Sequence, residues 1–238
     1  MTSIGADERI AAQIVLASRS PRRRELLGLV VPREHILVVP PRSADEAGFE
    51  GLHERLAIEI RLADIGREKA YDVSAQLALS QCDDEEPRAQ LIVAADTAVV
   101  VSRADGRLLV LGQPPSDETW ADVVRHWFRE HYASRTHEVL TALCVVAPDG
   151  RKTEQIVSTS VTFVADVESR LEWYIQTGEP RGKAGGYGIQ GAGSIFISSV
   201  SGSLSNVIGL PLEALLDLFA ELGIPIAGTR TTERQIWQ

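Results

Sequence analysis

Three consecutive arginines lie where the chain is expected to turn from a strand into a helix. Within residues 16–27, LASRSPRRRELL, Ser20 and Pro21 are typical of a helix N-cap and a first helical residue. The arginines that follow would lie in the first turns, where the partial positive charge of a helix end favours acidic residues instead. A bound anion would offset this repulsion, and phosphate fits because backbone N–H groups point outward there. The alternative is a basic helix start that faces solvent.

A polar pair interrupts an apolar segment in the middle of the chain. Asp96 and Thr97 stand inside residues 91–101, LIVAADTAVVV, which otherwise resemble a buried strand. Burying an unpaired carboxylate costs several kcal/mol or forces protonation. We therefore expect the pair at a strand end facing a cleft, or in contact with a cation. The alternative is an aspartate that caps a turn in a longer hairpin.

Residues 178–193, GEPRGKAGGYGIQGAG, contain seven glycines in sixteen positions. Such a backbone turns tightly or lets a ligand approach closely, and Lys183 and Gln190 are its candidate ligand-facing side chains. The segment is one residue short of a P-loop and lacks its Ser or Thr. It also matches the dinucleotide fingerprint in letters only, because a helix is expected before it and a strand after it. A mobile glycine-rich loop is the alternative.

Other catalytic motifs are absent from the sequence. No two histidines have metal-ligand spacing, there is no G-x-S-x-G element, and neither Cys82 nor Cys144 has an activating neighbour in sequence. Carboxylates with a divalent ion remain as candidate catalytic groups, and Asp96 and Glu46 are the candidate ligands. Magnesium or manganese would suit their oxygens and those of a phosphate.

Composition limits the possible functions. The 238 residues suffice for one large domain or two lobes sharing a core. A net charge of −9 argues against binding a nucleic-acid polymer, but not against one phosphorylated ligand in a local basic pocket. No apolar run is long enough to cross a membrane, and the N-terminus lacks the pattern of a secretory signal. Because the two cysteines form no disulfide framework, we expect a cytoplasmic location.

Strand and helix patterns alternate along the chain. The predicted strands are residues 14–17, 36–40, 91–101, 108–111, 137–147, 155–165 and 194–200, and the predicted helices are 21–29, 52–79, 116–131, 167–177 and 205–222. In the second helix the expected buried positions are Leu52, Leu56, Ile60, Ala63, Ala70, Val73 and Leu77. This order predicts an α/β or α+β protein with a mixed sheet. The acidic run at 83–87 is expected to be a solvated loop.

Four separated segments together resemble the Maf family of nucleoside triphosphate pyrophosphatases. They are LASRSPRRRELL, AADTAVV, SRTHEVLTAL and GEPRGKAGGYGIQGAGSIFI, the last followed by NVIGLPL. The resemblance implies an elongated, twisted mixed sheet flanked by helices, with a cleft between two lobes, related to inosine triphosphate pyrophosphatases. It also implies a homodimer. We expect an N-terminal extension at 1–12, one two-lobed domain at 13–222 and a tail at 223–238.

The resemblance also implies a reaction and roles for individual residues. The reaction splits a nucleoside triphosphate into the monophosphate and pyrophosphate with a divalent metal. Asp96 would activate water, and Glu46 would be a metal ligand. The implied phosphate-site residues are Ser18, Arg22, Arg23 and Lys69, with Lys183 also neutralising the triphosphate, whereas Arg24 would face solvent.

Three positions indicate a branch within that family. Thr97, Gln190 and Arg22 match the branch that acts on dTTP and UTP. Two alternatives stay open. One is a pyrophosphatase for other nucleotides, such as 7-methyl-GTP or inosine triphosphate. The other is a nucleotide-binding regulator of cell division with little turnover, because Maf relatives are associated with inhibition of septum formation.

Two positions depart from the family pattern. Gln113, in Gly-Gln-Pro, stands where the family usually has lysine, and Ala142 stands where it often has glycine. Glutamine donates hydrogen bonds but supplies no charge. We therefore expect weaker substrate binding or slower turnover than in a lysine-bearing relative.

Overall fold

A seven-stranded mixed sheet forms the centre of the molecule. A computed structural model describes residues 13–42, 48–80 and 90–224. The strands are β1 (Gln13–Ala17), β2 (Ile36–Val38), β3 (Gln90–Ser102), β4 (Leu108–Leu111), β5 (Thr136–Val146), β6 (Lys152–Phe163) and β7 (Ile197–Ser201). They follow the order β2-β1-β3-β5-β6-β7, and β4 also pairs with β3. The expected mixed sheet flanked by helices is confirmed.

Parallel and antiparallel pairing follow from the connections. β1 pairs in parallel with β2 and β3, which are reached through helices, whereas the remaining pairs are antiparallel. The turn predicted at residues 148–150 joins β5 to β6, and Gly150 there has a φ of 85°. Glycine adopts this left-handed conformation without the steric cost that a Cβ brings.

Six α-helices lie in the described ranges. They are α1 (Pro21–Leu27), α2 (Arg55–Ser80), α3 (Trp120–Trp127), α4 (Glu168–Gln176), α5 (Leu204–Ile208) and α6 (Leu212–Glu221). A π-helical turn, Phe128–Tyr132, continues α3, and a 3-10 turn, Ala192–Phe196, occupies the first half of the strand expected at 194–200. None of these helices combines the length and apolar character needed to cross a membrane.

The single helix predicted at 205–222 is wrong. Gly209, with a φ of 122°, ends α5, and Pro211 precedes α6. A glycine in this conformation terminates a helix, and a proline shortly after it prevents the helix from continuing. The chain therefore turns between α5 and α6, which brings the main chain of Gly209 to the centre of the sheet.

The buried face of α2 matches the prediction only in its second half. Leu56 and Ile60 are 68% and 53% exposed, and Leu52 precedes the helix. Ala70 and Val73 are buried as predicted, whereas the buried side chains of the first half are Ile58, Leu62 and Ile65. Ile58 and Leu62 belong to one apolar cluster, and Ala70 and Val73 to a second one, on one face of β1, β3 and β5. This long helix therefore covers one face of the sheet over its central strands, β1, β3 and β5.

The opposite face carries two separate apolar cores, which form the two lobes. One lies under α1 and α6 and includes Leu27 and Phe219. The other lies under α3 and α4 and is rich in aromatic side chains, including Phe128 and Phe163. Thr97, halfway along β3, belongs to neither core, so the boundary between the lobes crosses the sheet there.

Several predictions from sequence fall on residues outside the described ranges. These are the N-terminal extension, the acidic run at 83–87, Glu46 and the tail beyond residue 224. The division into an extension, one domain and a tail therefore stays a prediction.

Candidate functional site

Along one edge of β3, a short stretch of the strand has no neighbouring strand among the described residues, and this leaves an interval in the sheet. β1 pairs with β3 only as far as Ala94, and β4 pairs with the same edge only from Val99 onward. Because β1 is parallel to β3 and β4 is antiparallel, the carboxyl ends of both strands point into the interval at residues 95–98. Their following loops diverge from this point, and a cleft forms between them, as ligand sites do at the carboxyl ends of strands in open sheets.

Asp96 and Thr97 occupy this interval. As neighbours in a strand they point to opposite faces of the sheet. The expected contact with a cation is present, because Lys69 Nζ of α2 donates to Asp96 Oδ1 at 2.6 Å. The prediction that the pair lies at a strand end is wrong. β3 continues through both residues, and it is the neighbouring strands β1 and β4 that end there. A turn-capping aspartate is excluded for the same reason.

The ion pair between Asp96 and Lys69 is largely enclosed. Their side chains are 17% and 15% exposed, so their mutual attraction is less screened than it would be on the surface. Ala142 lies opposite Asp96 on β5 and packs with Ile58 and Leu62 under α2. This alanine, at a position where the family often has glycine, is thus part of the apolar cluster under α2.

The start of α1 has the predicted capping geometry. Ser20 is the N-cap, and its Oγ accepts a hydrogen bond from the Arg23 backbone N–H at 3.4 Å. Arg22 lines the cleft, whereas Arg24 is exposed outside it. Ser18 is buried, and its Oγ accepts from the Ser20 backbone N–H at 3.1 Å. The turn that presents the arginines is therefore fixed from within.

Arg23 is tied to three different parts of the chain. Its Nε donates to the Gly209 carbonyl at 2.8 Å, its Nη2 to Thr97 Oγ1 at 3.0 Å and its Nη1 to Ser18 Oγ at 3.4 Å. The break between α5 and α6 supplies the Gly209 carbonyl. Arg23 thus joins α1, β3 and α5 beneath the cleft, in addition to lining it.

A buried polar network continues from Arg23 through the sheet. Thr97 Oγ1 and Thr141 Oγ1 are 3.0 Å apart, and Thr141 donates to the Asn206 carbonyl at 3.3 Å. Asn206 Nδ2 donates to the Val139 carbonyl and to Thr159 Oγ1, each at 2.9 Å. Such networks rigidify the groups they connect, so Thr97 and Arg23 are held in fixed positions.

The glycine-rich segment forms the opposite wall. Tyr132 Oη donates to the Gly185 carbonyl at 2.8 Å, and the Gly185 N–H donates to the Gly112 carbonyl at 2.9 Å. Gly185 has a φ of 70°, and a Cβ there would lie 2.8 Å from Val99 Cγ2. Only glycine fits this position, so the loop rests directly on the aromatic core and on the loop that follows β4.

Lys183 and Gln190 both project from this segment toward the cleft. Burial lowers the pKa of Lys183, the carboxylate of Glu179 raises it and the positive charge of Arg22 lowers it further. Arg22 and Lys183 therefore act on each other electrostatically across the cleft. Two facing cations repel one another, and an anion between them would relieve that repulsion.

One cleft of about 760 Å³ brings together nearly all the candidate residues. Its lining includes Ser18, Arg22, Arg23, Lys69, Asp96, Thr97, Gln113, Lys183 and Gln190. Glu46 alone among the candidates lies outside the described residues. The lining also contains Glu179, which sequence reasoning missed. Its signal was present, because Glu179 is the only carboxylate within residues 178–193.

The cleft contains two carboxylates in its described lining, Asp96 and Glu179. In the described part of the chain no three His, Cys, Asp or Glu side chains converge as a metal-binding group. Mg²⁺ is commonly bound through one or two carboxylates together with substrate phosphates and waters. Asp96 at the centre of the cleft fits that pattern, whereas the carboxylate of Glu179 accepts backbone hydrogen bonds.

Fold and site together define an α/β protein with a cationic cleft around an aspartate–lysine pair, suited to a phosphorylated ligand. The chain belongs to the Maf family, whose model, described as Maf-like protein, matches residues 13–222.

Individual relatives are similar over almost the whole chain. A dTTP/UTP pyrophosphatase from Anaeromyxobacter dehalogenans is 39% identical over 227 residues, which cover 93% of this chain and 100% of that protein. One from Deinococcus radiodurans is 37% identical and covers 92% of this chain and 97% of its own length. A crystal structure of a dITP/XTP pyrophosphatase from Mycobacterium abscessus is a distant neighbour. It shares 16% identity over 64% of this chain and 74% of its own, with a TM-score of 0.35.

Proposed function

We propose that this protein hydrolyses dTTP and UTP to the monophosphate and pyrophosphate. The observation that carries the proposal is the convergence of cationic side chains from α1, α2 and the glycine-rich segment around Asp96 in one cleft. Membership of the Maf family and the names of its relatives, dTTP/UTP pyrophosphatase, support the choice of substrates.

The cationic side chains would have different roles in binding a triphosphate. Arg22 and Lys183 face the cleft from opposite walls and would neutralise the phosphate oxygens between them. Arg23 would add a donor from a position fixed by Thr97 and Gly209. Positioning and charge stabilisation of this kind supply most of the catalysis in phosphoryl transfer.

Asp96 would act on the attacking water. The hydrogen bond from Lys69 fixes Oδ1, so the orientation of the whole carboxylate is set. The carboxylate would accept a proton from a water whose oxygen bonds to the α-phosphorus. The bond between the α-phosphorus and the bridging oxygen then breaks, and pyrophosphate leaves.

A divalent cation belongs to this proposal. Asp96 would hold it, together with Glu46. Magnesium or manganese held there would supply charge neutralisation and would polarise the phosphate oxygens.

Replacing Asp96 by Asn tests the catalytic assignment. The amide keeps the size of the side chain but removes the proton acceptor, so we expect kcat for UTP and dTTP to fall by about a hundredfold or more. Pyrophosphate release is the measurement, with circular dichroism to show an unchanged fold. Asp105→Asn, in the exposed turn between β3 and β4, is the matched control. Release at the wild-type rate from the Asp96 variant would contradict the assignment.

A panel of triphosphates distinguishes the alternatives. Preference for 7-methyl-GTP or inosine triphosphate would replace the proposed substrates. Binding without turnover would favour the nucleotide-binding regulator, an option kept open because Gln113 supplies no charge to the cleft. A homodimer and a cytoplasmic location are further parts of the proposal, and sedimentation and cell fractionation test them.

A further inference from the structure

Glu179 is a carboxylate in a cleft otherwise suited to an anion. It lines the same space as Arg22 and Lys183. A negative charge there repels a triphosphate, so a carboxylate at this position is unfavourable for substrate binding unless it has a structural role. The hydrogen bonds of Glu179 indicate what this role is.

Glu179 stands near the start of the glycine-rich segment and is hydrogen-bonded both to the end of that segment and to Lys183 within it. Glu179 Oε2 accepts from the Ala192 backbone N–H at 2.6 Å, and Oε1 accepts from the Gly193 backbone N–H at 3.2 Å. Its backbone carbonyl accepts a hydrogen bond from Lys183 Nζ. Tyr174 Oη, from the aromatic core, lies 3.4 Å from Oε1. Hydrogen bonds from N–H groups to a carboxylate are among the stronger ones in proteins.

We propose that Glu179 is a positioning residue for substrate binding, whose carboxylate and carbonyl together hold Lys183 and Gln190 in the cleft. The inference rests on the proposed function for its kinetic consequences. Lys183 is hydrogen-bonded to the Glu179 carbonyl, and Gln190 lies in the chain between Lys183 and the two N–H groups that the carboxylate binds, so the geometry of both depends on Glu179.

The glycines of the segment fit this arrangement. A Cβ on Gly191 would lie 2.6 Å from the carboxylate carbon of Glu179, and a Cβ on Gly188 would lie 2.9 Å from Lys183 Cε. Gly191 has a φ of −117°, so its backbone conformation does not itself demand glycine. What excludes a side chain there is the space that Glu179 occupies.

Glu179 also acts on the charge of Lys183. Burial and the positive charge of Arg22 lower the pKa of Lys183, and the negative charge of Glu179 opposes both. Without that carboxylate the pKa of Lys183 would fall further. Glu179 thus helps to keep Lys183 charged for the phosphates, at the cost of some repulsion of the substrate.

The first experiment compares Glu179→Gln with Glu172→Gln. Glu172 on α4 also accepts two hydrogen bonds, from Arg125, but it is exposed outside the cleft. We expect the Glu179 variant to raise KM for dTTP and UTP by about 10- to 100-fold, with a smaller effect on kcat, because binding groups are displaced. The Glu172 variant should retain wild-type constants.

The second experiment measures Lys183 directly and requires no substrate. The sequence contains three lysines, Lys69, Lys152 and Lys183, so NMR of the ε-methylene groups gives three signals that Lys→Arg variants assign. In the titration of each signal we expect Glu179→Gln to lower the pKa of Lys183 and to leave that of Lys152 unchanged. Gly191→Ala displaces the carboxylate but keeps its charge, so it should raise KM with a smaller change in that pKa.

The outcomes separate this inference from the proposed function. Wild-type KM in the Glu179 variant, or an unchanged pKa of Lys183, would overturn the role of Glu179. Absence of turnover in the wild type would overturn the proposed function, while the titration still decides whether Glu179 acts on Lys183. If Glu179→Gln does not fold, a folded Gly191→Ala protein with wild-type KM overturns the inference.

Discussion

Arg22 and Arg23 are adjacent in sequence, yet the structure gives them different surroundings. Three protein oxygens accept hydrogen bonds from Arg23, which is thereby fixed beneath the cleft. Arg22 lines the cleft and is close enough to Lys183 to lower its pKa. The sequence predicts an anion site at this cluster, but it contains no sign that the second arginine joins three elements.

Arg22→Ala and Arg24→Ala form a matched pair on one helix. Because Arg22 lines the cleft and Arg24 is exposed outside it, we expect KM for UTP to rise by about 10-fold or more in the first variant. The second should change KM by less than about 2-fold, since a distant charge is largely screened. Steady-state kinetics on both proteins is the measurement. Equal effects on KM would contradict the prediction that only Arg22, of these two arginines, contacts the substrate.

Gln113→Lys tests the departure from the family pattern. Gln113 follows Gly112, whose carbonyl is bonded to the glycine-rich segment, so a lysine there would add a charge inside the cleft. A charge-assisted hydrogen bond exceeds a neutral one by roughly 0.5–2 kcal/mol, so kcat/KM should increase by about 2- to 30-fold. Gln155→Lys, exposed on β6, adds the same charge outside the cleft and is the control. An unchanged or lower kcat/KM would make the prediction wrong.

At the scale of secondary structure, the strands were predicted better than the helices. The turn at 148–150 and the apolar segments on either side of it located β5 and β6 to within a few residues. The face of α2 could not be chosen, because Leu56, Ile58, Ile60 and Leu62 surround its first turns and only packing on the sheet decides which are buried. The break after α5 did have a signal, since Gly209 and Pro211 form a recognised termination pattern.

Asn206 shows how a short helix contributes to stability. It is fully buried on α5, and its Nδ2 donates to Val139 and Thr159 of the sheet. We expect Asn206→Ala to lower the free energy of unfolding by about 2–3 kcal/mol, because two buried bonds are lost and their acceptors remain. Thr136→Ala removes an exposed hydrogen bond to Thr162 and should cost less than about 1 kcal/mol. Urea unfolding of both proteins tests the difference.

At the scale of the whole molecule, a buried histidine links stability to pH. His137 lies in the aromatic core, 2.7 Å from Tyr187 Oη, and burial lowers its pKa to about 3. In the unfolded chain its pKa is about 6.5, so the unfolded state binds the proton first as the pH falls. This residue's contribution to stability is therefore present above about pH 6.5 and is lost progressively toward pH 3.

Urea unfolding between pH 7 and pH 5 measures this linkage. The wild type should lose free energy of unfolding with a slope from His137 that approaches about 1.4 kcal/mol per pH unit. His137→Gln removes the titrating group and should reduce the slope. Identical slopes in the two proteins would contradict the assignment.

The two lobes and the cleft between them could be anticipated only through resemblance to a family. Hydropathy patterns predict which segments are strands, but not that β1 and β4 use successive parts of the same edge of β3. That register is set by long-range pairing. The position of Asp96 between the two strands follows from it, and so does the separation of the two cores.

The gap between β1 and β4 along the edge of β3 fixes the length of the cleft in that direction. From Ala94 to Val99 the strand advances five residues, about 17 Å at the usual rise of an extended chain. The length of the cleft along β3 is therefore set by the number of strand residues left unpaired on this edge and does not depend on the length of the surrounding loops. Lengthening β1 or β4 by a pair of residues would shorten the opening in discrete steps, whereas loop insertions would leave it unchanged. The length of the opening along β3 is thus set by the sheet, whereas the walls of the cleft are formed by the segments that follow the strands and by the glycine-rich segment.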